Sequence, residues 1–88
     1  MYRVEIESPA EKKLSKLQPR TATAIADKIL ALEDNPRPPG CKQIKGEKQE
    51  GWRFRHGKYR VLYKIDDAKR EVVVYDVDLR DRVYKRRR

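Results

Sequence analysis

Trp52-Arg53-Phe54-Arg55-His56-Gly57-Lys58-Tyr59-Arg60-Val61-Leu62-Tyr63-Lys64-Ile65 sets two alternating runs on either side of a glycine. Alternation at period two is the pattern of a half-buried strand, because successive side chains point to opposite faces of a sheet. Gly57-Lys58 fits a two-residue hairpin turn with glycine first. With that pair as the whole loop, His56 faces Tyr59, Arg55 faces Arg60, Phe54 faces Val61 and Trp52 faces Tyr63. Directly opposed residues share a face. Trp52, Phe54, Val61, Tyr63 and Ile65 then form a core face, and Arg53, Arg55 and Arg60 meet on the other. That second face reads as free of acidic neighbours. Opposed like charges cost stability, so a bound anion is the reading that explains their retention.

A third β-rich run spans 71–79 and contains Val72-Val73-Val74. Asp66-Asp67-Ala68-Lys69 suits the turn before it. Placing Ile65 opposite Arg70 puts Tyr75 opposite Arg60, and sets Val73, Tyr75 and Val77 on the arginine face. An exposed Val73/Val77 strip would serve a partner or lie under the chain's own tail. The run ends beside the Arg55–Gly57 end of the sheet, which brings the basic tail Arg80-Asp81-Arg82-Val83-Tyr84-Lys85-Arg86-Arg87-Arg88 towards the same patch.

Upstream, Tyr2, Val4 and Ile6 alternate as a first strand. Ser8 is suited to cap a helix with Pro9 at its first position and Glu11 completing a capping box. Ala10, Leu14 and Leu17 mark that helix's apolar face, and Lys12, Lys13 and Lys16 its wet one. Pro19 ends it and starts a second helix, in which Ala22, Ile25, Ala26, Ile29 and Leu32 hold the spacing up to Asn35-Pro36. Arg37-Pro38-Pro39-Gly40 is a loop, and the polar segment 42–49 reads as more loop. The prediction is an α+β fold in a single domain over residues 1–88. It has an N-terminal strand at a sheet edge, an antiparallel two-helix hairpin, and a three-stranded antiparallel meander with both helices on one face, then a short basic tail.

Lys and Arg outnumber Asp and Glu by 23 to 14 in 88 residues, a formal net charge of +9. Self-repulsion of that size in a small domain points to a polyanionic partner. One cysteine, Cys41, excludes an internal disulfide and a four-ligand Cys/His zinc site. Asp76 and Asp78 alone are a poor cation site, so no metal or cofactor is expected. No signal-like start or membrane-length apolar run is visible, so the expected location is the cytoplasm. His56, the sole histidine, reads as a turn residue before an acid or base. Trp52, Tyr59 and Tyr63 read as core before base-stacking platforms.

Tyr59-Arg60-Val61-Leu62-Tyr63, preceded by Trp52-Arg53-Phe54-Arg55 and Gly57, resembles the central signature of the RelE/ParE toxin superfamily. Val77-Asp78-Leu79-Arg80-Asp81-Arg82-Val83-Tyr84 resembles its arginine-then-tyrosine ending, and Leu14, Leu17, Ile29, Leu32 and Asn35-Pro36 its helical hairpin. The resemblance spans nearly the whole chain. RelE-like members are ribosome-dependent endoribonucleases that cut mRNA in the A site, whereas ParE-like members poison DNA gyrase without catalysis. Both kinds are neutralised by a cognate antitoxin, and the resemblance also implies a toxin–antitoxin complex able to bind its own operator DNA. A non-catalytic RNA-binding module is a further alternative.

Carried over position by position, the resemblance implies a catalytic set of Arg60, Arg80, Tyr84 and Arg53, the last standing where lysine is common. Gly51 stands where some ribonucleases carry another lysine, and Asp78-Leu79 departs from the small or basic residues frequent before the later arginine. Arg55, Lys48, Lys45, Arg82, Lys85 and Arg86 are the expected RNA-contacting cations, with Lys48 or Arg55 as substitutes for the missing lysine. Metal-free cleavage has the 2′-hydroxyl attack the adjacent phosphate, which requires in-line positioning, proton removal and charge stabilisation. The arginine fork matches phosphate oxygens, so Arg60 and Arg53 are given the phosphate and Arg80 the leaving group. Tyr84 is given the proton or a base to stack on; neighbouring arginines would lower its pKa.

Overall fold

The computed structural model describes residues 1–44 and 51–79. Strand β1 (Arg3–Ile6) leads into helices α1 (Ser8–Ser15) and α2 (Pro19–Ala31), followed by β2 (Lys42–Ile44), β3 (Gly51–His56), β4 (Tyr59–Asp66) and β5 (Glu71–Leu79). One five-stranded sheet has the order β1-β5-β4-β3-β2, with β1 parallel to β5 at one edge and every other pair antiparallel. The meander β3-β4-β5 and the edge position of β1 follow the sequence pattern.

β2 was not expected. Lys42-Gln43-Ile44 is too polar and too short to announce a strand, yet it pairs Lys42 with Arg53 and Ile44 with Gly51. An edge strand needs backbone partners on one side only, and charged residues suit it.

Helix α1 also starts differently from the capping-box expectation. Ser8 is already helical, the cap is Glu7 with extended backbone, and no side chain closes it. The Glu7 N–H donates to the Val74 carbonyl at 2.9 Å. That bond prolongs the β1 ladder by one residue and holds Glu7 extended, which makes it the cap in place of Ser8. Pro19 does open α2.

The core is one cluster on the helix side of the sheet. Ala10 and Leu14 of α1, Ile25 and Ile29 of α2, and Leu32 beyond it meet Phe54, Val61, Tyr63, Val72, Val74 and Val77. Tyr63 is fully buried, and its hydroxyl donates to the Pro36 carbonyl at 2.9 Å. Burial pushes that phenol well above its ordinary pKa, so it stays a donor.

The β3–β4 register is the one the two-residue turn dictates, with Gly57 at φ +61°. The β4–β5 register is not. The turn uses four residues, 67–70, and Arg70 takes a left-handed φ of 55°, so Asp66 rather than Ile65 closes the ladder, facing Glu71. An irregularity between Leu62 and Tyr63 then leaves Tyr75 as the extra residue of a bulge. Beyond it the alternation is reversed: Val77 faces Val61 and is buried, and Asp78, not Tyr75, faces Arg60. The expected exposed Val73/Val77 strip therefore does not form.

The proline-rich loop after α2 is stapled to the β4–β5 turn. Arg37 donates to both oxygens of Asp67 (3.3 and 2.9 Å), lies 5.0 Å over the Trp52 ring, and Tyr2 donates to Asp67 at 2.6 Å. Arg37 and then Tyr2 hold the Asp67 carboxyl below the usual carboxylate range, because both bond its charged form. The native state thus takes up this proton less readily than the unfolded chain. Its contribution is full above the ordinary carboxylate range and is lost as pH falls through the depressed native value. Asp67→Asn is expected to unfold at lower urea than the parent at neutral pH, with the gap closing in acid. Urea midpoints at about pH 7 and about pH 3 check this; an equal gap at both would remove the carboxylate charge from the account.

Candidate nucleic-acid interface

The face of the sheet away from the helices carries the cations. Arg55 of β3, Arg60 of β4 and Asp78 of β5 stand in one row across three strands. The next row sets Lys42 of β2, Arg53 of β3 and Leu62 of β4 side by side. Pairing within the two-residue hairpin therefore brings Arg53, Arg55 and Arg60 together as expected. Lys42 is an addition the sequence reading missed, because the only signal for it is its place in β2.

The expectation of no acidic neighbour is overturned. The bulge turns Asp78 onto this face, where its carboxylate lies 3.6 Å from an Arg60 terminal nitrogen. Both side chains are largely covered, at 25% and 20% exposure. The contact exceeds the roughly 2.7–2.9 Å of a charge-assisted hydrogen bond. The Arg60 Nε is buried and makes no hydrogen bond. A buried guanidinium nitrogen left without an acceptor is costly, so an acceptor able to reach it would relieve that cost. Arg55, directly opposite, is exposed.

Gly51 is where a lysine was missed. The space a side chain would take there is filled from β5: a Cβ at Gly51 would come within 3.1 Å of the Tyr75 hydroxyl. Lys64, opposite Gly51, sits 5.4 Å from the Tyr75 ring and supplies a cation to this end of the face. Burial, then Asp76, raises the Tyr75 pKa, so this phenol is held protonated and is a poor base. Asp76 itself is engaged by Lys13 at 2.8 Å.

A concavity of about 360 Å³ runs up to Arg55, walled by Ala31, Pro38, Pro39 and Phe54 with Lys28 at its rim. An apolar slot beside cations suits a flat, partly apolar group attached to a phosphate. His56 faces Tyr59 at the hairpin end, and its Nδ1 is buried without a partner. Trp52 and Tyr59 pack against the core, as their register demands. Among the described residues no group of three or more His, Cys, Asp or Glu is placed to hold a metal ion, and no helix is long and apolar enough to cross a membrane. β5 ends with Leu79 opposite Tyr59, beside the Gly57 turn. Lys45, Lys48, Arg80, Arg82, Tyr84, Lys85 and Arg86 lie outside the described residues.

Comparison with known proteins gives a consistent result. Residues 4–84 match the family described as the ParE toxin of the type II toxin–antitoxin system parDE. Toxin RelG of Mycobacterium tuberculosis is 36% identical over 87 residues, covering 97% of this chain and 98% of that protein. Among solved structures, the toxin–antitoxin complex RelBE2 of M. tuberculosis superposes with a TM-score of 0.77 at 32% identity, covering 90% of this chain and 98% of the matched one. The archaeal RelE–RelB complex of Pyrococcus horikoshii gives 0.81 at 25% identity, with 92% and 97% covered. The isolated Escherichia coli RelE toxin gives 0.75 at 22% identity, with 98% and 94% covered, a likeness of fold.

Proposed function

The chain belongs to the ParE toxin family of type II toxin–antitoxin systems, within the RelE/ParE superfamily, and on that premise we propose that it is a toxin that cuts mRNA in the ribosomal A site and arrests translation. The observation that carries this reading is the cationic sheet face, with Arg60 held mostly buried and its Nε unsatisfied. A surface of loosely solvated cations would serve any polyanion. A partly desolvated, preorganised guanidinium suits charge that develops at one phosphate.

In this reading Arg60 and Arg53 bind the scissile phosphate, and the 2′-hydroxyl of the RNA attacks it in line. Arg80 meets the charge on the leaving oxygen, and Tyr84 takes the 2′ proton or stacks on a base. Lys42, Arg55 and Lys64 hold the flanking backbone. Tyr75 fills the place of the lysine absent at Gly51 sterically and does not replace its charge. A cognate antitoxin that covers the arginine face would silence the toxin; the complexes of the M. tuberculosis and P. horikoshii relatives support such a partner. The same complex binding its operator DNA is part of the proposal.

The family match to ParE toxins favours one second reading, inhibition of DNA gyrase by binding. Primer extension on mRNA held in translating ribosomes, beside a gyrase supercoiling assay, separates the two. New A-site ends with the parent protein and none with Arg60→Ala are expected, with supercoiling unaffected. Blocked supercoiling without any cleavage would replace the nuclease reading by the gyrase one.

A further inference from the structure

We propose that Asp78 is a built-in competitor for the anion seat of Arg60, a positioning residue that sets how tightly this face holds a phosphate. The inference takes from the proposed function only that Arg60 binds phosphate. Its basis is the β4–β5 bulge. Without the extra residue the hairpin's initial register would set Val77 opposite Arg60 and turn Asp78 to the core face. With it, Val77 enters the core and Asp78 lands beside the guanidinium. Bulges re-aim side chains in this way.

The geometry is that of a placeholder. At 3.6 Å the carboxylate neutralises Arg60 by charge without engaging its donor fork in a short bond, and Nε makes no hydrogen bond. Arg55, directly across the hairpin from Arg60, repels it and so favours the Asp78 side. An inorganic phosphate dianion offers more charge and more acceptors than the carboxylate, and an RNA phosphodiester offers equal charge on two free oxygens that can meet the arginine fork in short bonds; either displaces the carboxylate at 3.6 Å. The cost of that displacement, and the repulsion between Asp78 and the arriving phosphate, are subtracted from binding. Asp78 thereby weakens the hold on any single phosphate and keeps Arg60 aligned while the site is empty.

The test is a double-mutant cycle of Asp78→Asn with Arg60→Gln, with Asp78→Ser as a second neutral variant and Asp78→Glu as the charge-keeping control. Two probes are titrated. One is inorganic phosphate, followed by the backbone amide shifts of β4. The other is a short single-stranded RNA, followed by fluorescence anisotropy. Both are expected to bind the Asn and Ser variants roughly three- to tenfold more tightly, the size set by a partly screened ion pair. The gain should vanish in the Arg60→Gln background and be absent in Asp78→Glu. An Arg60-dependent gain for phosphate, with RNA binding indifferent to Arg60, keeps the competitor role and removes the RNA reading. No gain in either neutral variant, or a gain that persists undiminished with Arg60→Gln, overturns the proposal.

Discussion

Changing Arg60 to lysine is expected to slow cleavage by roughly 100- to 1000-fold, the usual effect of losing one donor to developing charge. RNA binding should fall far less. Lysine keeps the positive charge but presents a point charge where arginine offers a planar fork. Phosphate affinity in the ground state follows net charge, while alignment of two donors on one phosphate matters most as charge grows in the transition state. The buried, unbonded Nε is the donor that lysine cannot reproduce. Single-turnover cleavage of ribosome-held mRNA gives the rate, and anisotropy with single-stranded RNA gives the affinity. Cutting within about threefold of the parent would place Arg60 away from the reacting phosphate.

The second large effect concerns stability. Tyr63→Ala is expected to cost about 3–5 kcal/mol, as truncation of a fully buried aromatic does. The side chain has no exposed surface, lies against Phe54 with ring centroids 6.0 Å apart, and is tied to Pro36 by its hydroxyl. A domain of this size has roughly 5–15 kcal/mol in total, so the variant is expected to be partly unfolded at body temperature. Tyr63→Phe isolates the hydroxyl and should cost about 1–3 kcal/mol, because the buried Pro36 carbonyl loses its donor. Denaturant unfolding of both variants measures the two terms. A cost below about 1 kcal/mol for the alanine would mean that the site collapses without a cavity. The second tyrosine of Tyr59-Arg60-Val61-Leu62-Tyr63 thus acts by holding the strand to the core, and the arginine between them lies on the opposite face of the sheet.

Most of the fold was legible because two local signals were unambiguous. Gly57-Lys58 admits one register for β3 and β4, and every pair from His56–Tyr59 to Trp52–Tyr63 follows from it. The spacing of Ile25, Ile29 and Leu32 likewise names the residues that fill the core. The next hairpin was not legible, since alternation reads straight through a four-residue turn and through the bulge at Tyr75, beyond which Val77 as well as Val74 is buried. That error concealed Asp78, the acidic neighbour of Arg60, and made an exposed strip out of a core valine. Lys42 was hidden for a different reason, because β2 is held by β3's free backbone and not by any pattern of its own. Ser8 carries a capping signature that was overruled when the β1–β5 ladder extended to Glu7.

The parallel pairing of β1 with β5 joins Arg3 to Glu71, 68 residues apart. During synthesis the first strand therefore waits for its partner until residues 71–74 have emerged. Contacts this distant in sequence slow folding. Prematurely terminated chains that stop before residue 71 lack the β1 partner and the strand that supplies Val72, Val74 and Val77 to the core. A nascent fragment accordingly holds the β2-β3-β4 residues that carry Lys42, Arg53, Arg55 and Arg60 but lacks the core valines and Asp78, so the completed face waits on the arrival of β5.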